Sequence, residues 1–69
     1  MSNVYPSSTE LTEIQDQLYA LHHKMHEYAK QFPRNESDFI GIAVKLTDSA
    51  WKLDDMIETA KHVERTEKQ

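Results

Sequence analysis

The chain has no cysteine, one glycine and two prolines in 69 residues. The missing thiols exclude disulfides and thiolate zinc sites, and leave the redox compartment open. With so little glycine and proline, few turns can be built, and the composition is helical. Gly41 stands alone, so there is no glycine-rich loop to cradle phosphate. No apolar run is long enough to span a bilayer. The opening MSNVYPSST has no basic stretch followed by an apolar one, and does not read as a signal peptide. The expected location is the cytoplasm of the producing or host cell. A basic excess is also missing: 12 acidic against 8 basic residues give a net charge of −4. Direct nucleic-acid binding needs a basic patch, so it is not expected. No strand-like alternation, internal repeat or low-complexity segment occurs.

What is present is heptad spacing. Ser7 and Glu10 form an S-x-x-E capping box just after Pro6. Leu11, Ile14, Leu18, Leu21, Met25, Tyr28 and Phe32 then follow at alternating steps of three and four, a seam that wants a partner helix. Pro33 ends this helix. Asn35 is positioned to cap a second helix, with Asp38 three residues on. The second seam is Phe39, Ala43, Leu46, Ala50, Leu53, Ile57 and Ala60, widened by Ile42, Met56 and Val63. These patterns predict a single all-α domain. Helix 1 covers about 8–31, a loop 32–35, and helix 2 about 36–64, with flexible ends at 1–6 and 65–69. Two long helices on a short loop form an antiparallel hairpin.

Helix 2 carries more apolar surface than one neighbour can cover. Ile40, Val44 and Trp51 lie on a second sector, at roughly 100 to 140° from Phe39 on the helical wheel. A chain this short buries only about 60% of its unfolded surface and often needs a partner subunit. The stripe therefore predicts a homodimer, two hairpins closing a four-helix bundle about a two-fold axis.

The candidate chemistry is sparse. His22 and His26 are four residues apart on one helix face, half of a zinc site. The hairpin register sets Gly41 and Lys45 opposite them, and neither is a ligand. Together with Tyr19 they form a polar-aromatic strip suited to a protein interface. Asp54, Glu58 and His62 have the spacing of a carboxylate-histidine metal helix, but helix 1 offers no matching inward carboxylates. No metal site and no cofactor are expected. No nucleophile-base set is visible, and the only arginines, Arg34 and Arg65, lie in the loop and the tail. An enzyme is not expected. The interface candidates are Ile40, Val44, Trp51, Tyr19, His22 and His26.

The stretch SDFIGIAVKLTDSAWKLDDMI, residues 37–57, resembles the second helix of phage anti-quorum-sensing proteins. The whole plan is similar to small phage and prophage accessory hairpins of the anti-quorum-sensing and anti-repressor type. That resemblance implies binding a host regulatory protein rather than catalysis, and it transfers no particular binding residue. An antitoxin-like or structural self-assembling subunit is the alternative, and a His/carboxylate metal-binding bundle a third.

Overall fold

The computed structural model describes residues 5–67, and every regular element among them is helical. Helix α1 spans Ser8–Gln31 and α2 spans Glu36–Glu67, with a 3₁₀ turn at Pro33–Asn35 between them. The predicted hairpin forms. Cross-helix bonds run in reversed order along the chain, Ser8 to Glu64, Gln15 to Ala50 and His22 to Ala43, so the helices are antiparallel.

Each end of α1 has a local cause. Ser7 is its N-cap: its hydroxyl accepts from the Glu10 amide at 3.1 Å, and Glu10 Oε1 accepts from the Ser7 amide at 3.4 Å. Glu64 of α2 takes up another first-turn amide, accepting from Ser8 N at 2.8 Å and from Ser8 Oγ at 2.9 Å. At the other end Pro33 forces Phe32 out of helical geometry, to φ −124° and ψ 78°. The Phe32 amide donates to Tyr28 O, and the Asn35 amide then closes the 3₁₀ turn on Phe32 O. In place of the amide cap expected of Asn35, this turn leads straight into α2. The Asn35 side-chain amide donates to Asp38 Oδ2 at 3.4 Å. Tyr28, Phe32 and Phe39 stack edge-on or tilted around the turn, with ring centroids 5.6 to 6.3 Å apart.

Two segments expected to be flexible include residues that join the helices or pack on them. Residues 65 to 67 continue α2, with Thr66 Oγ1 donating to Val63 O and His62 O. Tyr5 packs against the cluster of Leu11, Leu53, Ile57 and Ala60. Residues 1–4 and 68–69 of those segments lie outside the described residues.

The interface between the helices is thin. Its wholly enclosed members are small: Ala43 and Ala50 have no exposed surface, and Ala60 has almost none. Among the described residues the large buried side chains are Leu11, Leu53 and Ile57, and no large side chain is fully enclosed. The molecule measures 55 × 15 × 14 Å. Its radius of gyration is 16.0 Å, against about 11 Å for a compact domain of this length. It is a rod two helices wide. A rod of that kind leaves much of each helix facing outward.

Candidate protein-interaction site

The α2 seam sits where its spacing puts it, with Ala43, Ala50, Leu53, Ile57 and Ala60 buried and Phe39 and Leu46 half-buried. The α1 seam does not. Leu11 is buried and Leu18, Met25 and Tyr28 are half-buried, but Ile14 and Leu21 remain 47% and 46% exposed. Gln15 and His22, one residue further along, turn inward instead. The cause lies on α2. Each of these polar side chains meets an alanine, which leaves room above the backbone for a longer group to reach a carbonyl. Gln15 Nε2 donates to Ala50 O and to Asp54 Oδ1, both at 2.7 Å. Seven residues on, His22 Nδ1 lies 3.2 Å from Ala43 O and 2.9 Å from Thr47 Oγ1. Thr47 Oγ1 lies 3.1 Å from Ala43 O. The His22 ring nitrogen, the Thr47 hydroxyl and the Ala43 carbonyl form one cluster, in which the roles of Nδ1 and Oγ1 follow the tautomer of the ring. The residues that meet His22 are Ala43 and Thr47, not the Gly41 and Lys45 of the simple register.

These bonds orient the rest of the rod. At about 100° per residue, Tyr19 and His26 flank the α1 seam on the side of Gln15 and His22, while Ile14, Leu21 and Tyr28 flank it on the other. On α2, Ile40, Thr47 and Asp54 flank the seam on one side, with Val44, Trp51 and Glu58 further round. Ile42, Ser49 and Met56 flank it on the other. The Gln15–Asp54 and His22–Thr47 bonds bring the first flank of each helix together. The hairpin thus has two sides.

One side gathers five of the six predicted interface residues: Tyr19, His26, Ile40, Val44 and Trp51. Trp51 is 59% exposed and Val44 53%, while Tyr19, His26 and Ile40 are half-buried. The sixth, His22, is drawn between the helices, although its ring still lies edge-on to His26 with centroids 4.5 Å apart. Asp16, Asp54 and Glu58 stand on this side, with Lys30, Glu36 and Lys61 toward its ends, all exposed. Glu13, Glu27, Asp48 and Asp55 line the adjoining backs of the helices, also exposed.

The second side was not singled out from sequence. It carries Ile14, Leu21 and Ile42, each close to half exposed, with half-buried Tyr28 and Met56. Lys24, Lys45 and Lys52 edge it along the middle, and Glu10 and Asp38 stand at its ends. The available signal was the i, i+7 pair Ile14 and Leu21, read together with alanines at 43 and 50. A seam that is alanine on one helix does not need large apolar partners on the other.

Among the described residues there is no pocket, and no group of three or more His, Cys, Asp or Glu is placed to hold a metal ion. Asp54, Glu58 and His62 are exposed, and Asp54 is engaged by Gln15. Among the described residues no helix is long and apolar enough to cross a membrane. Comparison with protein families, with characterised proteins and with solved structures gave no match.

Proposed function

We propose that this chain is a small non-catalytic protein-binding modulator. In this reading two hairpins associate as a homodimeric four-helix bundle, and the dimer grips a regulatory protein of a host cell and inhibits or redirects it. A phage or other mobile element is the proposed source, and the host cytoplasm the proposed place of action. The observation that carries the reading is the exposure of large apolar side chains on two opposite sides of one narrow rod. Trp51 and Val44 stand on one side, and Ile14, Leu21 and Ile42 on the other. Large apolar side chains left exposed and gathered on one side of a molecule mark protein-interaction sites. Two such sides supply one surface for self-association and one for a partner. Around Trp51 the neighbours are carboxylates, so the partner surface that fits is apolar at its centre and basic at its rim.

The test is affinity capture from lysate of the producing or host organism, with mass spectrometry, using the wild-type chain and Trp51→Ala side by side. The expected result is a stoichiometric protein retained by the first and lost by the second. Equal recovery by both, or no specific protein with either, contradicts the partner-binding reading. An antitoxin-like or structural subunit would leave no such difference.

A further inference from the structure

We infer that the second copy of the chain packs on the side of Ile14, Leu21 and Ile42, and that the Trp51 side stays open in the dimer. This rests on the self-association proposed above and assigns it a face, opposite to the one that the stripe of Ile40, Val44 and Trp51 predicts from sequence.

Three observations carry it. The first is area. The accessible surface is 5463 Å² for a chain of 8.1 kDa. A compact monomer of that mass exposes about 4,500 Å². The surplus is about 1,000 Å², and a stable dimer of standard size buries about 800 Å² from each partner. A surplus of this size bears on self-association, and the choice of side rests on the two grooves and their charges.

The second is the chemistry of the two grooves between α1 and α2. On the Trp51 side the groove is bridged by polar bonds, Gln15 to Asp54 and His22 to Thr47. A bundle core laid over them would have to desolvate an exposed carboxylate and its donor. On the opposite side no side-chain bond spans the groove: Ile14 and Leu21 from α1 face Ile42 and Met56 from α2, with Ser49 between the last two. From Ile14 to Tyr28 this ribbon is about 21 Å long at helical rise.

The third is charge. In a two-fold dimer each side meets its own copy. Pairing through the Trp51 side gathers Asp16, Asp54 and Glu58 of both copies into one interface, with Lys30 and Lys61 only toward its ends. The acidic side chains are short, with little freedom to move apart, and like charges so placed repel. On the ribbon side the central charges are Lys24, Lys45 and Lys52. A lysine stem is long enough to lie along the apolar surface and carry its ammonium to the rim.

Trp51 is the only tryptophan, so it reports directly on its own side. The experiment is acrylamide quenching of its fluorescence at concentrations spanning the monomer–dimer transition, with the mass followed by sedimentation equilibrium. Leu21→Glu and Trp51→Glu are run in parallel, with helicity checked by circular dichroism. The expected result is that Trp51 is quenched as readily in the dimer as in the monomer. Trp51→Glu remains a dimer, and Leu21→Glu becomes a helical monomer or dimerises at least tenfold more weakly. Protection of Trp51 on dimerisation, or a monomeric Trp51→Glu beside a dimeric Leu21→Glu, overturns the assignment while leaving the dimer standing. A wild-type chain that stays monomeric throughout overturns the self-association reading itself. Should Leu21→Glu lose its helicity, the quenching of wild-type Trp51 still decides between the two sides.

Discussion

Replacing Gln15 with alanine removes a side chain that ties the middle of α1 to both the backbone and a side chain of α2. Its Nε2 makes two bonds of 2.7 Å, one to Ala50 O and one to Asp54 Oδ1. A bond between neutral groups contributes about 0.5 to 1.5 kcal/mol net. The second bond reaches a carboxylate, but Asp54 is exposed, and water screens and competes for it; its share is about 0.5 kcal/mol. The loss expected of Gln15→Ala is therefore about 1 to 2 kcal/mol. Ala50 O keeps its own helical bond, which prevents a larger penalty. In a hairpin of this length that shifts the melting temperature by about 4 to 16 °C, since each kcal/mol moves it by about 4 to 8 °C. The assay is urea unfolding followed by circular dichroism at fixed protein concentration, extended to a double-mutant cycle with Asp54→Ala. The cycle should return a coupling of about 0.5 kcal/mol between the two residues. A coupling of zero, with Gln15→Ala as stable as the wild type, would refute the inward placement of Gln15 and with it the shifted α1 seam.

Other perturbations have distinct expected outcomes. Ser7→Ala removes the capping box of α1 and should cost about 1 kcal/mol by the same unfolding assay. Leu53→Ala opens a cavity beside Leu11 and Ile57 and should cost about 2 to 5 kcal/mol, enough to leave a chain this small largely unfolded in a thermal melt. Gly41→Ala should stabilise by about 0.5 to 1 kcal/mol, because Gly41 is inside α2, has no positive φ, and an added Cβ meets nothing within 4 Å. A lower melting temperature for Gly41→Ala would mean that this back face of α2 is covered.

The hairpin was legible because its signals are local. The Ser7–Glu10 box, Pro33 and the heptad steps each act within a few residues of chain. The α2 seam was legible for the same reason, since Ala43, Ala50, Leu53, Ile57 and Ala60 all lie on one stripe. The α1 seam was only half legible. Leu11, Leu18 and Met25 belong to either of two adjacent seams, one completed by Ile14 and Leu21 and the other by Gln15 and His22. Hydropathy favours the first. The structure takes the second, because alanines on α2 offer space and free carbonyl lone pairs to long polar side chains, a condition set by residues about 20 to 35 positions away. Slipping the α1 seam by one residue moved Ile14 and Leu21 to a flank. That slip created the apolar side that the stripe of Ile40, Val44 and Trp51 had concealed. Trp51 and Val44 themselves were placed correctly off the intrachain seam, because they stand well outside it on any wheel.

Self-association is tested most directly by sedimentation equilibrium of the full chain at micromolar concentration, with helicity recorded on the same samples. The account predicts a helical species of twice the 8.1 kDa chain mass, dissociating on dilution. A cooperatively folded, fully helical species of 8.1 kDa at every concentration would contradict it.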